Sequence, residues 1–135
     1  MLTSALRRLF PRWSDASGRR GERVAARHLK RAGYRILGRN VRLRQGEIDL
    51  LAEAPDRRTI VIVEVKSGAS DAVAPEHHVN AAKQRKLTAL AAELARRRRF
   101  SARPMRFDVV AVVLPPHDRK REVVRHHVGA FEARM

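Results

Sequence analysis

The sequence contains no cysteine in its 135 residues. That absence excludes disulfides, thiolate zinc sites and cysteine nucleophiles. Long apolar runs are missing as well. The longest, such as 109–114, fall far short of the ~20 residues that a membrane-spanning helix needs. Near the N-terminus Arg7 and Arg8 split the scattered apolar residues, so no secretory core forms there. A cytoplasmic protein without membrane association is the expectation. Acids are scarce beside bases: 14 Asp and Glu face 30 Lys and Arg, a formal net charge of +16. Only five of those bases are lysine, a preference that explains the choice of arginine but not the excess over acids. A surplus of this size favours a polyanionic partner, and nucleic acid is the commonest. Histidine offers no zinc site. His126 and His127 face opposite sides of a strand, His77 and His78 diverge at a helix start, and no third ligand has the spacing.

Hydrophobic residues make up 44% of the chain. The length suits one domain that buries roughly 65–70% of its unfolded surface. We expect a weakly ordered basic extension over 1–17, whose Phe10 and Trp13 could dock on the domain, and a single domain over 18–135.

The stretch 45–66 organises that domain. Gln-Gly-Glu-Ile-Asp-Leu-Leu is followed by a Pro-Asp-Arg-Arg turn and then Thr-Ile-Val-Ile-Val-Glu-Val-Lys. Two β-branched runs around turn residues predict a β-hairpin. Charges interrupt the runs where a buried strand should carry Val or Leu. Glu64 and Lys66 share one strand face, as do Glu47 and Asp49. A hairpin closing at 55–58 sets Asp49 near the height of Glu64 and Lys66. Burying such ions costs several kcal/mol each, roughly, unless something compensates them. A divalent cation with a phosphate substrate would do so.

Around the hairpin, a helix is expected over 18–33 with Val24, Ala25, Leu29 and Ala32 inward, followed by a strand over 34–44 bent near Gly38. Glu22 lies on the inward side of the helix, as a site residue or as a first-turn acid favoured by the helix dipole. A small-residue loop precedes a second helix over 77–99. Its inward stripe of Leu87, Leu90 and Leu94 begins one turn after Lys83, which either points toward the Glu64 end of the sheet or snorkels over apolar surface. Arg96-Arg97-Arg98-Arg99 close the helix, as a phosphate-facing patch or as a solvated end. Strands over 105–114 and 122–128 flank a basic turn. Asp108, a single acid in the first of them, reads as a structural salt bridge or turn-end hydrogen bond. The second helix has the length to cross from the third strand to a parallel fourth. Ligands then gather beyond the carboxyl ends of the strands flanking the crossover.

Asp49, fourteen intervening residues and Glu64-Val65-Lys66 resemble the D-x(n)-(D/E)-x-K signature of the restriction-endonuclease-like superfamily. Gly21-Glu22, Gly33-Tyr34, Asn40, Gly46-Glu47-Ile48-Asp49-Leu50, Val63-Glu64-Val65-Lys66, Lys83 and Arg106-Phe107-Asp108-Val109-Val110 are together similar to the YraN family of predicted bacterial endonucleases. The resemblance covers about 18–131. It implies an α/β (α+β) fold with a restriction-endonuclease-like core, helix-strand-strand-strand-helix-strand-strand, whose mixed sheet is flanked by helices. It also implies a metal-dependent nuclease. Asp49, Glu64 and the Val65 carbonyl would bind Mg²⁺ or Mn²⁺, Lys66 would position the attacking water, and Glu22 would complete the acidic shell. Lys83 and Arg96, Arg97, Arg98 and Arg99 are the candidate nucleic-acid contacts, with DNA favoured over RNA. The alternative is a non-catalytic nucleic-acid binder on the same fold, which would use the basic surface and keep the acids for structure.

Overall fold

Unbroken apolar runs at 60–63 and 109–114 can only be accommodated as strands covered on both faces. They lie at the centre of the sheet. The computed structural model describes residues 18–68, 81–115 and 118–131. Their order is α1 (Gly18–Arg31), β1 (Arg35–Leu43), β2 (Gly46–Glu53), β3 (Ile60–Gly68), α2 (Ala81–Ala95), β4 (Met105–Val113), a 3₁₀ turn (Arg119–Arg121) and β5 (Val123–Phe131). The sheet order is β1-β2-β3-β4-β5. β1, β2 and β3 form an antiparallel meander, β3 and β4 are parallel, and β5 returns antiparallel to β4. The chain is thus α+β, with a five-stranded mixed sheet and two helices. The expected meander and crossover are both present.

Each helix buries its apolar stripe on one face of the sheet. Val24, Ala25, Ala26 and Leu29 of α1 pack on Leu50, Val61, Val63, Val65 and Val110. Leu87, Leu90, Ala91 and Leu94 of α2 pack on Ile48, Leu51, Ile60, Ile62 and Phe107. α1 stops where Gly33 takes φ +93°, a backbone that favours glycine, and Tyr34 N–H bonds back to the Leu29 carbonyl at 2.9 Å. The β2–β3 turn is fixed by Asp56. Its carboxylate accepts from the Thr59 hydroxyl and from the Thr59 and Arg58 amides, which lowers its pKa to about 2.

Two boundaries differ from the sequence reading. α2 ends at Ala95, so residues 96–99 form turns rather than a helix end. Phe100 is buried among the α2 cluster, and returning its ring to the core turns the chain before helical spacing can continue. β5 extends to Phe131 because it pairs along β4 from Val113↔Val123 to Phe107↔Phe131. The expected extension over 1–17, with Phe10 and Trp13, lies outside the described residues, as do the loop at 69–80 and the pair His77 and His78. Among the described residues no helix is long and apolar enough to cross a membrane.

Candidate active site

The β2–β3 ladder runs from Glu53↔Ile60 to Leu50↔Val63. β3 continues alongside β4, through Val65↔Val110 and Lys66↔Ala111. Its other edge therefore presents amides that β2 does not pair, and a buried amide must find an acceptor. Asp49 supplies one: its Oδ2 accepts from Val65 N–H at 2.8 Å. The carboxylate thus lies in the gap where the strands part. Simple alternation along β2 does not describe this point. Leu50 and Ala52 face α1, yet Ile48 joins the α2 cluster. Asp49 sits at the switch, and Asn40, opposite it in the register between Arg39↔Leu50 and Val41↔Ile48, has a left-handed backbone at φ +50°. Asparagine is among the few non-glycine residues that tolerate that region.

Glu64 and Lys66 follow on one face of β3, only 6% and 3% exposed. With Glu47, Ile48, Asp49, Ile62 and Leu87, Glu64 lines a cleft of about 10 Å³, close to the space one water-sized sphere needs. Glu22 reaches the same region from α1, where Asn40 Nδ2 donates to its Oε2 at 3.1 Å. The approach of α1 depends on Gly21. A Cβ there would lie 2.6 Å from Ser67 Cβ and 2.8 Å from Ser67 Oγ. Gly21→Ala should force α1 off β3 and destabilise the fold by about 1–3 kcal/mol, the usual range for overpacking. A thermal melt indistinguishable from wild type would show that the helix shifts without cost.

Burial is the main reason that the Asp49 carboxyl is pushed well above its ordinary range. The Val65 amide opposes the shift, and the charges of Glu64, Glu22 and Glu47 add to it. Glu22 is raised chiefly by burial too, against the Asn40 hydrogen bond. Among the described residues, Asp49 Oδ1 is buried without a hydrogen-bond partner. An acceptor of this kind, among other carboxylates, suits a cation. The donors expected from the sequence, two carboxylates and a backbone carbonyl, would be compatible with Mg²⁺ because that ion retains several of its waters. No group of three or more His, Cys, Asp or Glu side chains that could hold a metal occurs among the described residues.

The sheet thus brings together Asp49, Glu64, Lys66 and Glu22, with Glu47 added. Lys83 lies in the first turn of α2, but its side chain lies outside the described residues. Arg96, Arg97, Arg98 and Arg99 are exposed and lead into β4 at the end where Ile60 N–H bonds the Pro104 carbonyl. That is the opposite end of β3 from Glu64 and Lys66. Sequence reasoning assigned no role to Asn40, although an asparagine inside a strand is itself a signal, since Asn is depleted there.

Asp108 is a salt bridge, as expected, and its partner is only two residues away. Arg106 Nε and Nη2 donate to its two oxygens, both at 2.8 Å. His126 Nε2 at 2.7 Å and Gly129 N–H at 3.0 Å complete the set. Arg106 also donates to the Tyr34 hydroxyl at 2.7 Å, and the Tyr34 and His28 rings stand edge-on to His126. Burial alone would raise Asp108, but these donors outweigh it and hold the carboxyl below its ordinary pKa. His28 is shifted down by burial, then by His126 and Arg31.

A sequence profile of the uncharacterised protein family UPF0102 matches residues 21–112. The chain belongs to that family. The UPF0102 match begins at Gly21-Glu22 and takes in every candidate site residue, whereas β5 lies beyond it. The chain is 39% identical to a UPF0102 protein of Pelobacter propionicus over 117 residues, which is 86% of this chain and 82% of the relative. It is 42% identical to one from Syntrophus aciditrophicus, covering 86% and 88%. A third, from Symbiobacterium thermophilum, is 46% identical over 105 residues, covering 77% and 87%.

Proposed function

We propose that this UPF0102 protein is a metal-dependent nuclease that hydrolyses phosphodiester bonds in nucleic acid, with DNA the favoured substrate. The observation that carries the reading is the buried, unpartnered Asp49 Oδ1 beside Glu64 and Lys66, where β2 and β3 part. Structural acids are ordinarily satisfied, as Asp108 is; Asp49 keeps an oxygen available. The element order and the parallel β3–β4 pair also support the reading of a restriction-endonuclease-like core.

In this reading Asp49, Glu64 and the Val65 carbonyl would hold Mg²⁺ or Mn²⁺, which would supply Lewis-acid polarisation of the phosphate and activation of a water. Asp49 is oriented for this by the Val65 amide, which occupies Oδ2 and leaves Oδ1 for the cation. Lys66 has only donors to offer, so its ammonium serves the attacking water and the charge developing on phosphate oxygens. Glu22, held by Asn40, would add negative potential to the site.

The test compares wild type with Lys66→Met in Mg²⁺ and in Mn²⁺. Substrates are single-stranded, duplex, flap and junction DNA, and RNA. Wild type should cleave at least one. Lys66→Met should cleave it about 10²-fold more slowly, the scale lost with a preorganised charge-stabilising group, while retaining nucleic-acid binding. Equal cleavage by both proteins refutes the role of Lys66. If both bind and neither cleaves any substrate, the nuclease reading gives way to a binding module that uses the same basic surface.

A further inference from the structure

The net charge of +16 does not say where a polyanion lies. Three groups of four arginines compete for it. One is Arg96, Arg97, Arg98 and Arg99, at the end of β3 away from Glu64. A second is on the edge strand and the turn after it: Arg35, Arg39, Arg42 and Arg44, all exposed. The third is Arg19, Arg23, Arg27 and Arg31 on α1, likewise exposed and spaced i, i+4, i+8 and i+12. At 1.5 Å per residue they present one guanidinium about every 6 Å along a ridge that is inclined to the helix axis, turning about 40° from one arginine to the next.

We infer that the outer ridge of α1 is the track for the nucleic-acid backbone, with its phosphates paired to Arg19, Arg23, Arg27 and Arg31. The inference rests on the nucleic-acid reading above and names the surface that serves it. Three observations favour the ridge. First, its N-terminal end lies at the end of the sheet that holds the site. Gly21 lies against Ser67, next to Lys66, while the far end of the helix meets Pro55 at Gly33, and the charge of Glu22, in the first turns of α1, acts on Asp49. Second, the ridge is rigid. Ala25 and Leu29 on the side of the helix away from the ridge are wholly buried, so the arginines are presented in fixed register. Third, its charge is little neutralised. Among the described residues none of these four arginines forms an ion pair. Glu122, which lies beside Arg23 and Arg27, is engaged by Arg20 at 2.7 Å. Arg20, Arg23 and Arg27 line a cleft of about 370 Å³ with Val24 and Glu122, open enough to admit a phosphate. On the edge strand, by contrast, Arg35 lies in the field of Glu53 and Arg39 in that of Glu22.

The experiment uses the full chain and three variants, each replacing one arginine quartet with glutamine. All three lose the same charge, so only its place differs. Glutamine is also a good helix former, and circular dichroism checks that each variant is folded. Binding to a fluorescein-labelled 20-mer, duplex or single-stranded, is followed by anisotropy in EDTA across a salt series. The α1 quartet should flatten the log–log salt slope by about 3.6 on duplex and about 2.8 on single strands, four phosphates at the usual value for each. The other two quartets should change it by less than half as much. An α1 variant that binds like wild type, or loses no more than either other quartet, overturns the inference. So does tighter binding to phosphatidylserine vesicles than to DNA. Because EDTA prevents metal-dependent cleavage, the outcome is separate from that of the nuclease reading. Ridge-dependent binding without cleavage in Mn²⁺ upholds the ridge and sinks the nuclease. Cleavage with ridge-independent binding does the reverse.

Discussion

Replacing Asp49 with asparagine is expected to raise the melting temperature in metal-free buffer at neutral pH and to abolish metal-dependent cleavage. The two effects share one cause. Asp49 is 2% exposed, and burial, joined by repulsion from Glu64, Glu22 and Glu47, raises its pKa well above the ordinary value. A carboxyl raised in the folded state contributes most below its unfolded pKa, about 3.9. That contribution is lost as pH rises through the folded value. At neutral pH the ionised form is the costly one. Asparagine keeps an oxygen for the Val65 amide and removes the charge, so it should gain about 1 kcal/mol or more, roughly 4 °C for a domain of this size. The gain should grow as pH rises above about 3.9 toward the folded-state value.

Metal should invert the ranking. Mg²⁺ or Mn²⁺ bound to the folded state stabilises by about 2.7 kcal/mol at a hundred times its Kd. Wild type should show that rise and Asp49→Asn should not. If the Asp49→Asn variant is less stable than wild type at pH 8 without metal, the carboxylate is structural, and the metal reading falls with it.

Asp108→Asn should do the opposite, destabilising the protein by about 3 kcal/mol and lowering its melting temperature by roughly 12 °C or more. Here the carboxylate is matched by four donors from three residues, and an amide cannot accept from all of them. The remaining Arg106 would face the site without its counter-charge. Arg106 is about a quarter exposed, at 26%, so water recovers part of the loss and places the value at the low end of the range for a broken buried pair. Asp108 is held below its ordinary pKa. Its contribution is therefore present above about pH 3.9 and disappears as pH falls through the folded value. The gap between wild type and variant should narrow in acid. Removing both charges in Asp108→Asn/Arg106→Met should recover part of the stability. A double variant as unstable as the sum of its singles would show that the pair is not coupled.

Two buried aspartates thus make opposite contributions to stability, and nothing in their local sequence separates them. Each interrupts an apolar strand: Ile48-Asp49-Leu50 and Phe107-Asp108-Val109. What differs is the company that distant segments bring. Asp108 gains donors from β5 across a separation of 18 residues and of 21 residues, and its Arg106 is anchored by Tyr34 across 72. Asp49 meets one backbone amide, because β2 and β3 separate beside it.

The sequence by itself determined the elements and their order, since alternation, unbroken apolar runs and turn residues act within a few positions of one another. It determined that Asp49, Glu64 and Lys66 meet at one end of a hairpin, because a short turn sets the register of its arms. It also carried the family, through motifs spread over most of the chain. Only the tertiary structure decided that Asn40 holds Glu22, that Gly21 lets α1 close on Ser67, and that the four consecutive arginines lie at the wrong end of β3 for the site. Those facts follow from how helices pack on a sheet and where the chain must turn to bury Phe100. Packing joins residues far apart in sequence, and local periodicity has no term for it.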